Sequence, residues 1–188
     1  MLRKLFLTTA SLFLVWQSWK FAGQLYGFRN GSLPEIILVA WVFNLFVTGI
    51  FAFAGFAHPT ERLLPDSYYH VSKPGLLRRW YHLLRVDWFR RALLATLWRG
   101  KDQGKRYFNG RRDGVANLRM QSMKSEFGHL LPFILLSLYA GYLAYRSAYL
   151  LGAAIFFINV IGNLYPVLLQ RYHRMRLQRL FILRAGAL

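Results

Sequence analysis

The chain has 188 residues, 55% of them hydrophobic, yet it carries a formal net charge of +18 and no cysteine. The length suits one domain, and the missing cysteine excludes structural disulfides, thiolate nucleophiles and thiolate-bound metal, leaving catalysis to His, carboxylate, hydroxyl or amine groups. A soluble nucleic-acid binder accounts for the charge but not for long uncharged apolar runs; a membrane protein accounts for both if its basic residues gather on one side.

Four segments approach the roughly 20 apolar residues that cross a hydrocarbon core of about 30 Å: about 5–23, 35–57, 127–145 and 148–169. The first also has the outline of a signal peptide, with Arg3 and Lys4 ahead of Leu5 to Val15. Lys20-Phe21-Ala22 is a poor cleavage site, however, and an anchored helix is the reading adopted. Only Arg146 and Ser147 separate the last two segments, which predicts an antiparallel hairpin.

Residues 59–126 are too long for a plain connection. Pro59 to Asp66 is turn-rich, and Lys73-Pro74-Gly75 marks a second break. From Leu76 to Trp98 the spacing predicts one amphipathic helix, with Leu77, Trp80, Leu84, Trp88 and Ala95 on one face and Arg78, His82, Arg85 and Arg90 elsewhere. Such a face suits a helix lying in the membrane interface, and equally one packed against other helices, because periodicity does not tell lipid from protein. Arg99 to Asp113 reads as a mobile cytoplasmic loop, rich in Gly and charge.

Glu126 and His129 open the third apolar segment at a spacing of i, i+3, so a continuous helix sets both on one face, where a carboxylate orients an imidazole and stabilises its charged form. Ionisable groups at membrane depth face a protein interior or a wet cavity and so draw a functional reading. The competing account is a helix start that favours an acid electrostatically. His82 and Asp87 have the H-x-x-x-x-D spacing of glycerolipid acyltransferases, but five residues along a helix turn two side chains well apart, and the pair is taken as incidental.

Asn159, Asn163 and Gln170 fall on one helical stripe across a kink expected at Pro166. Amides inside a bilayer either line a polar cleft or join helices. The tail from 170 to 188 is basic, and no acidic residue follows Glu126, so Arg171, Arg174 and Arg176 form a positive cluster fit for an anionic group. Neither nucleic acid nor metal is expected as a partner: the charge tracks a membrane face, and His and carboxylates lack ligand spacings.

Of the 25 Lys and Arg residues, 22 lie in the N-terminus, in 59–126 or after 170. Lys20, Arg29 and Arg146 are the exceptions, at or beyond the opposite helix ends. Four crossings then put both termini and the long segment in the cytoplasm, with Trp16, Trp19, Tyr142, Tyr145 and Tyr149 as an outer aromatic belt. The expected fold is an all-α integral membrane protein of the cytoplasmic membrane, with four transmembrane helices and a membrane-apposed segment between the second and third.

The tail Asn163-Leu164-Tyr165-Pro166 followed by Gln170-Arg171-Tyr172-His173-Arg174-Met175-Arg176-Leu177, with Glu126-Phe127-Gly128-His129 ahead of it, resembles the glycosyl-4,4'-diaponeurosporenoate acyltransferases of carotenoid biosynthesis. Leu130 and His173 stand where that family has Trp and Asn. The resemblance covers roughly residues 65–181. It implies transfer of a fatty acyl chain from an acyl donor, acyl-CoA or acyl carrier protein, to a hydroxyl of a glycosylated carotenoid or similar lipid-linked sugar, with no further cofactor. On it, Glu126 and His129 become the catalytic pair, and Asn163, Gln170, Arg171, Tyr172, Arg174 and Arg176 the substrate-binding residues. The alternative class is a non-enzymatic membrane subunit or lipid-binding scaffold, in which the same polar groups hold helices together.

Overall fold

The computed structural model describes residues 1–96 and 112–185. The elements in chain order are α1 (Leu2–Leu25), a 3-10 turn (Tyr26–Asn30), α2 (Leu33–Ala57), α3 (Asp66–Tyr69), α4 (Pro74–Leu83), α5 (Val86–Thr96), α6 (Arg112–Tyr145), α7 (Tyr149–Asn159), a π segment (Val160–Leu164) and α8 (Tyr165–Ala185). No strand occurs among the described residues. Two compact units result, one of Met1–Thr60 with Phe127–Pro166, the other of Glu61–Glu126 with Val167–Leu188.

In the first unit, Ser32 and Glu35 form a capping box at the start of α2, with Glu35 Oε2 accepting from the Ser32 main-chain N–H at 2.8 Å. That satisfies donors which a helix otherwise leaves open at its N-terminus. α1 lies against α2, and the Ser11 hydroxyl donates across to the Ile50 carbonyl at 2.9 Å. The core gathers Ile36, Ala40, Phe43, Leu136, Leu143, Leu151 and Ile155. The α6–α7 hairpin forms as expected. Ser147 takes a left-handed φ of 61°, and the Ala148 N–H reaches the Leu143 carbonyl at 2.9 Å while that of Ser147 reaches Ala144 at 3.0 Å, the bond pair of a Schellman ending. Gly152 permits the close approach that follows: a Cβ there would lie 2.9 Å from the Ala140 carbonyl oxygen.

Three helical stretches are long and apolar enough to cross a membrane: Leu33–Ala57, Gly114–Tyr145 and Tyr149–Gln178. These contain three of the four expected spans; the first, in α1, is not among them. α1 forms over 24 residues, but Arg3, Lys4, Thr8, Thr9, Gln17 and Lys20 dilute its apolar content. The outward face of the first unit carries exposed Leu12, Phe13, Ile37, Trp41, Leu135, Leu138, Phe157 and Ile161. So much exposed large apolar surface points to membrane association. The aromatic residues expected at the outer belt are likewise exposed.

The π segment ends two residues before Pro166. Proline has no N–H, and its ring collides with the carbonyl four residues back, here that of Gly162; a wider turn accommodates both. Pro132 is carried inside α6 without ending it.

In the second unit the single helix expected over Leu76–Trp98 is two, broken at Leu84-Arg85, where Arg85 adopts a φ of 50°. No Gly or Pro announces the break. Tyr81 and Val86 are buried with Leu169, whereas Trp80, Leu83, Trp88 and Leu94 are exposed. The expected apolar face is thus divided: one edge packs on protein and the tryptophans point away from it. Trp98, and the loop expected over Arg99–Asp113 as far as residue 111, lie outside the described residues.

Candidate functional site

Two polar clusters hold most of the residues singled out in the sequence, one in each unit. The first is a chain of neutral groups ending on His129. Asn159 donates through Nδ2 to the Phe133 carbonyl at 2.9 Å and to the Ser137 hydroxyl at 3.1 Å. A carbonyl only accepts, so that end of the amide is nitrogen, and Oδ1 turns to the other side to accept from Asn163 Nδ2 at 3.0 Å. Asn163 is oriented in turn. Its Oδ1 accepts from the Thr48 hydroxyl at 3.2 Å and faces His129 Nδ1 at 3.0 Å. An oxygen acceptor opposite Nδ1 calls for an N–H there, so the network assigns the neutral imidazole its proton on Nδ1 and its lone pair on Nε2.

Asn159 and Asn163 are both fully buried, in surroundings where amides must find partners or lose several kcal/mol. The stripe expected for Asn159, Asn163 and Gln170 is realised for the first two. Gln170 belongs to the other unit, where its main-chain carbonyl accepts from the Ser122 hydroxyl at 3.2 Å. Thr48 and Ser137 gave no sequence signal, being lone hydroxyls without a spacing.

The second cluster is ionic and centred on Glu126, whose side chain is wholly buried. Oε1 accepts from Arg171 Nε at 2.8 Å and from the Tyr68 hydroxyl at 2.9 Å, and Oε2 pairs with Arg174. Arg174 is itself buried, donating also to the Ser122 hydroxyl at 3.1 Å and the Tyr69 carbonyl at 3.3 Å. The Arg171 guanidinium lies over the Tyr68 ring, 4.7 Å from its centroid, and keeps about a third of its side chain exposed.

The structure gives these side chains partners that their spacing in sequence does not show. The side-chain partner of His129 is Asn163, and the Glu126 carboxylate is taken up by two arginines and a tyrosine. Arg174 is committed to that carboxylate instead of standing open to a phosphate. Tyr172 is stacked on Tyr81 with ring centroids 4.0 Å apart, in an apolar cluster with Leu169. Arg176 alone of the three expected arginines is openly exposed.

His82 and Asp87 also differ from expectation. The break at Leu84-Arg85 brings His82 Nδ1 within 3.7 Å of Asp87 Oδ2, a contact one unbroken helix would not make. Asp87 further accepts from the Tyr81 hydroxyl at 3.1 Å and lies 3.8 Å from Arg90. Burial, and then that bond to Asp87, pushes the Tyr81 phenol up to about 12. Asp87 thus serves as an anchor between the two short helices. No group of three or more His, Asp or Glu side chains suited to a metal ion forms among the described residues.

A family model described as glycosyl-4,4'-diaponeurosporenoate acyltransferase matches residues 65–182, the stretch that contains both clusters' named residues except Thr48. No curated protein and no solved structure matches the chain.

Proposed function

The chain belongs to the glycosyl-4,4'-diaponeurosporenoate acyltransferase family, and on that premise we propose that it transfers a fatty acyl chain from a thioester donor to a hydroxyl of a membrane-held glycosylated carotenoid or similar glycolipid. The observation that carries this reading is the hydrogen-bond chain from Ser137 through Asn159 and Asn163 to His129, which supports a histidine with one fixed tautomer and an Nε2 lone pair left to accept a proton. An alcohol is a poor nucleophile at neutral pH. Nε2 takes its proton as the oxygen attacks the thioester carbonyl; the tetrahedral adduct then expels the thiolate, which recovers the proton from the imidazolium. The chain has neither a cysteine nor a G-x-S-x-G nucleophile elbow, and the reading therefore takes transfer as direct, through a complex holding donor and acceptor together.

Asn163 is the positioning residue in this scheme, in the role a carboxylate plays beside other catalytic histidines. Being neutral, it fixes the ring without raising the cost of an unpaired charge in an apolar setting. Glu126 acts on the fold of the basic segment, and positive charge for an acyl-CoA or acyl carrier protein donor comes from Arg171 and Arg176. One observation favours a scaffold instead, namely that Glu126 and Arg174 are saturated by each other and their neighbours.

Incubating the purified protein with labelled acyl thioester and a glycosyl-carotenoid extract separates these readings. Label entering the glycolipid supports transfer, and label remaining in the donor with intact, folded protein favours the scaffold. For topology we propose α1 as a fourth crossing with both termini in the cytoplasm, supported by its packing on α2 and by the distribution of Lys and Arg. Reporter fusions at Arg29 and Arg146 are then external, and fusions at Gly104 and after Leu188 are cytoplasmic; a cytoplasmic signal at Arg146 breaks the scheme.

A further inference from the structure

The second unit contains a cavity of about 500 Å³ bounded by Asp66, Ser67 and Tyr69 of α3, by His70, and by Arg119 and Gln178. Its size falls within the roughly 300–1,000 Å³ usual for small-ligand sites. Its charges are mixed: Arg119 lies 3.7 Å from Asp66, both side chains largely exposed, and Arg174, which also borders it, is bound to Glu126. A phosphate therefore finds no uncommitted buried cation here and meets a carboxylate instead.

The polar groups that remain are mixed donors and acceptors. Gln178 Oε1 accepts from the Val71 main-chain N–H at 3.4 Å, so its Nε2 is the donor to His70 Nδ1 at 2.9 Å. Neutral His70 then carries its proton on Nε2, as a donor. Asp66 supplies acceptor oxygens, Arg119 further donors and Ser67 a hydroxyl of either sense. Tyr69 is 2% exposed, and its hydroxyl is buried without a hydrogen-bond partner among the described residues. That oxygen is closed off from the surface, so the polar groups a ligand meets are those of Asp66, Ser67, His70, Arg119 and Gln178.

We propose that this cavity seats the sugar of the acceptor, a neutral hexosyl group whose hydroxyls both donate and accept, against Asp66, His70 and Gln178. The proposal rests on the acyl-transfer reading for the identity of the acceptor, and it adds the residues that select a glycosylated lipid over a plain lipid alcohol. No chemistry on the sugar is assigned to these residues; they hold it.

Two measurements on the full chain in lipid nanodiscs test it. In the first, an alkyl glucoside bearing a photoreactive diazirine on the sugar is irradiated with the protein and the labelled peptides are mapped. Label falls in residues 66–70 or 174–178, competes with excess methyl glucoside but not with butanol, and drops about ten-fold in His70→Ala/Gln178→Ala. Ser67→Trp, which fills space without removing the Gln178 bonds, lowers it as well and guards against a merely unfolded double variant. This readout needs no turnover, so it stands even if acyl transfer itself is disproved. In the second, the same variants raise the KM for the glycolipid acceptor about ten-fold and leave the donor KM unchanged. Label elsewhere, label indifferent to the sugar competitor, or a rise in donor KM alone overturns the proposal, the last by making the cavity a donor site.

Discussion

The two polar clusters solve the problem of polarity in an apolar setting in opposite ways. In the first unit every group from Ser137 to His129 is neutral, each amide gives with one end and takes with the other, and the chain finishes on a ring that retains a free lone pair. In the second unit Glu126, Arg171 and Arg174 are charged, and the pair Glu126–Arg174 is buried and spent on itself. A neutral chain fixes geometry while leaving its terminal base reactive; a saturated ion pair fixes geometry and leaves little to react. The proposed function therefore takes its base from the first cluster and treats the second as architecture.

The largest effect expected from this contrast is on the ionic side. Glu126→Gln leaves the buried Arg174 without a counter-charge and costs about 3–5 kcal/mol, so folded protein is lost; Arg174→Gln costs less, because Arg171 and Tyr68 still hold the carboxylate. The apolar double variant Glu126→Leu/Arg174→Met regains much of that, because it removes both charges together. Thermal melting of the detergent-solubilised protein by fluorescence-detected size exclusion reads both results. A stable Arg174→Gln protein with only a raised donor KM would return Arg174 to the phosphate-binding role that its place in the tail suggests.

Next in size is the neutral side. Asn163→Leu removes the acceptor facing His129 Nδ1 and the link to Asn159. Helix-joining hydrogen bonds in membranes average about 0.6 kcal/mol, so the fold persists. Turnover falls about ten- to a hundred-fold, the range seen when a group orienting a reactive histidine is lost at metal sites. Loss of stability equal to that of Glu126→Gln would erase the distinction between the clusters.

The smallest effect comes from the backbone, where among the described residues each unit has one non-glycine residue with positive φ, Ser147 and Arg85. Replacing either with Gly relieves a left-handed conformation costing about 1 kcal/mol, offset in part by the entropy of the unfolded chain. Melting points should rise by a few degrees at most in Ser147→Gly and Arg85→Gly, with activity retained. A fall in both would mean that the Ser147 and Arg85 side chains hold these turns.

The same contrast explains what could be read in advance. The three most apolar helices, the hairpin at Arg146-Ser147 and the disturbance at Pro166 were all legible, since run length, loop length and a missing N–H act locally. His129 and Asn163 were both picked out, but not as partners, because 34 residues separate them and only the packed helices bring them together. Glu126 was assigned to the nearest histidine on its own helix; its true partners are 45 and 48 residues away. Tyr68, Thr48, Ser122 and Ser137 could not be singled out among many hydroxyls. The break that joins His82 to Asp87 rests on Arg85 adopting a conformation its side chain disfavours, for which composition offers no sign.

The central claim is that His129 Nε2 takes the acceptor's proton, and it is tested most directly by turnover of purified His129→Ala with labelled acyl donor and glycolipid. The account predicts a fall of about 10² to 10⁴ in kcat, a melting point close to the parent's, and an active His82→Ala control. Near-parental turnover in folded His129→Ala would contradict it, and would leave the chain from Ser137 to His129 as a means of joining helices.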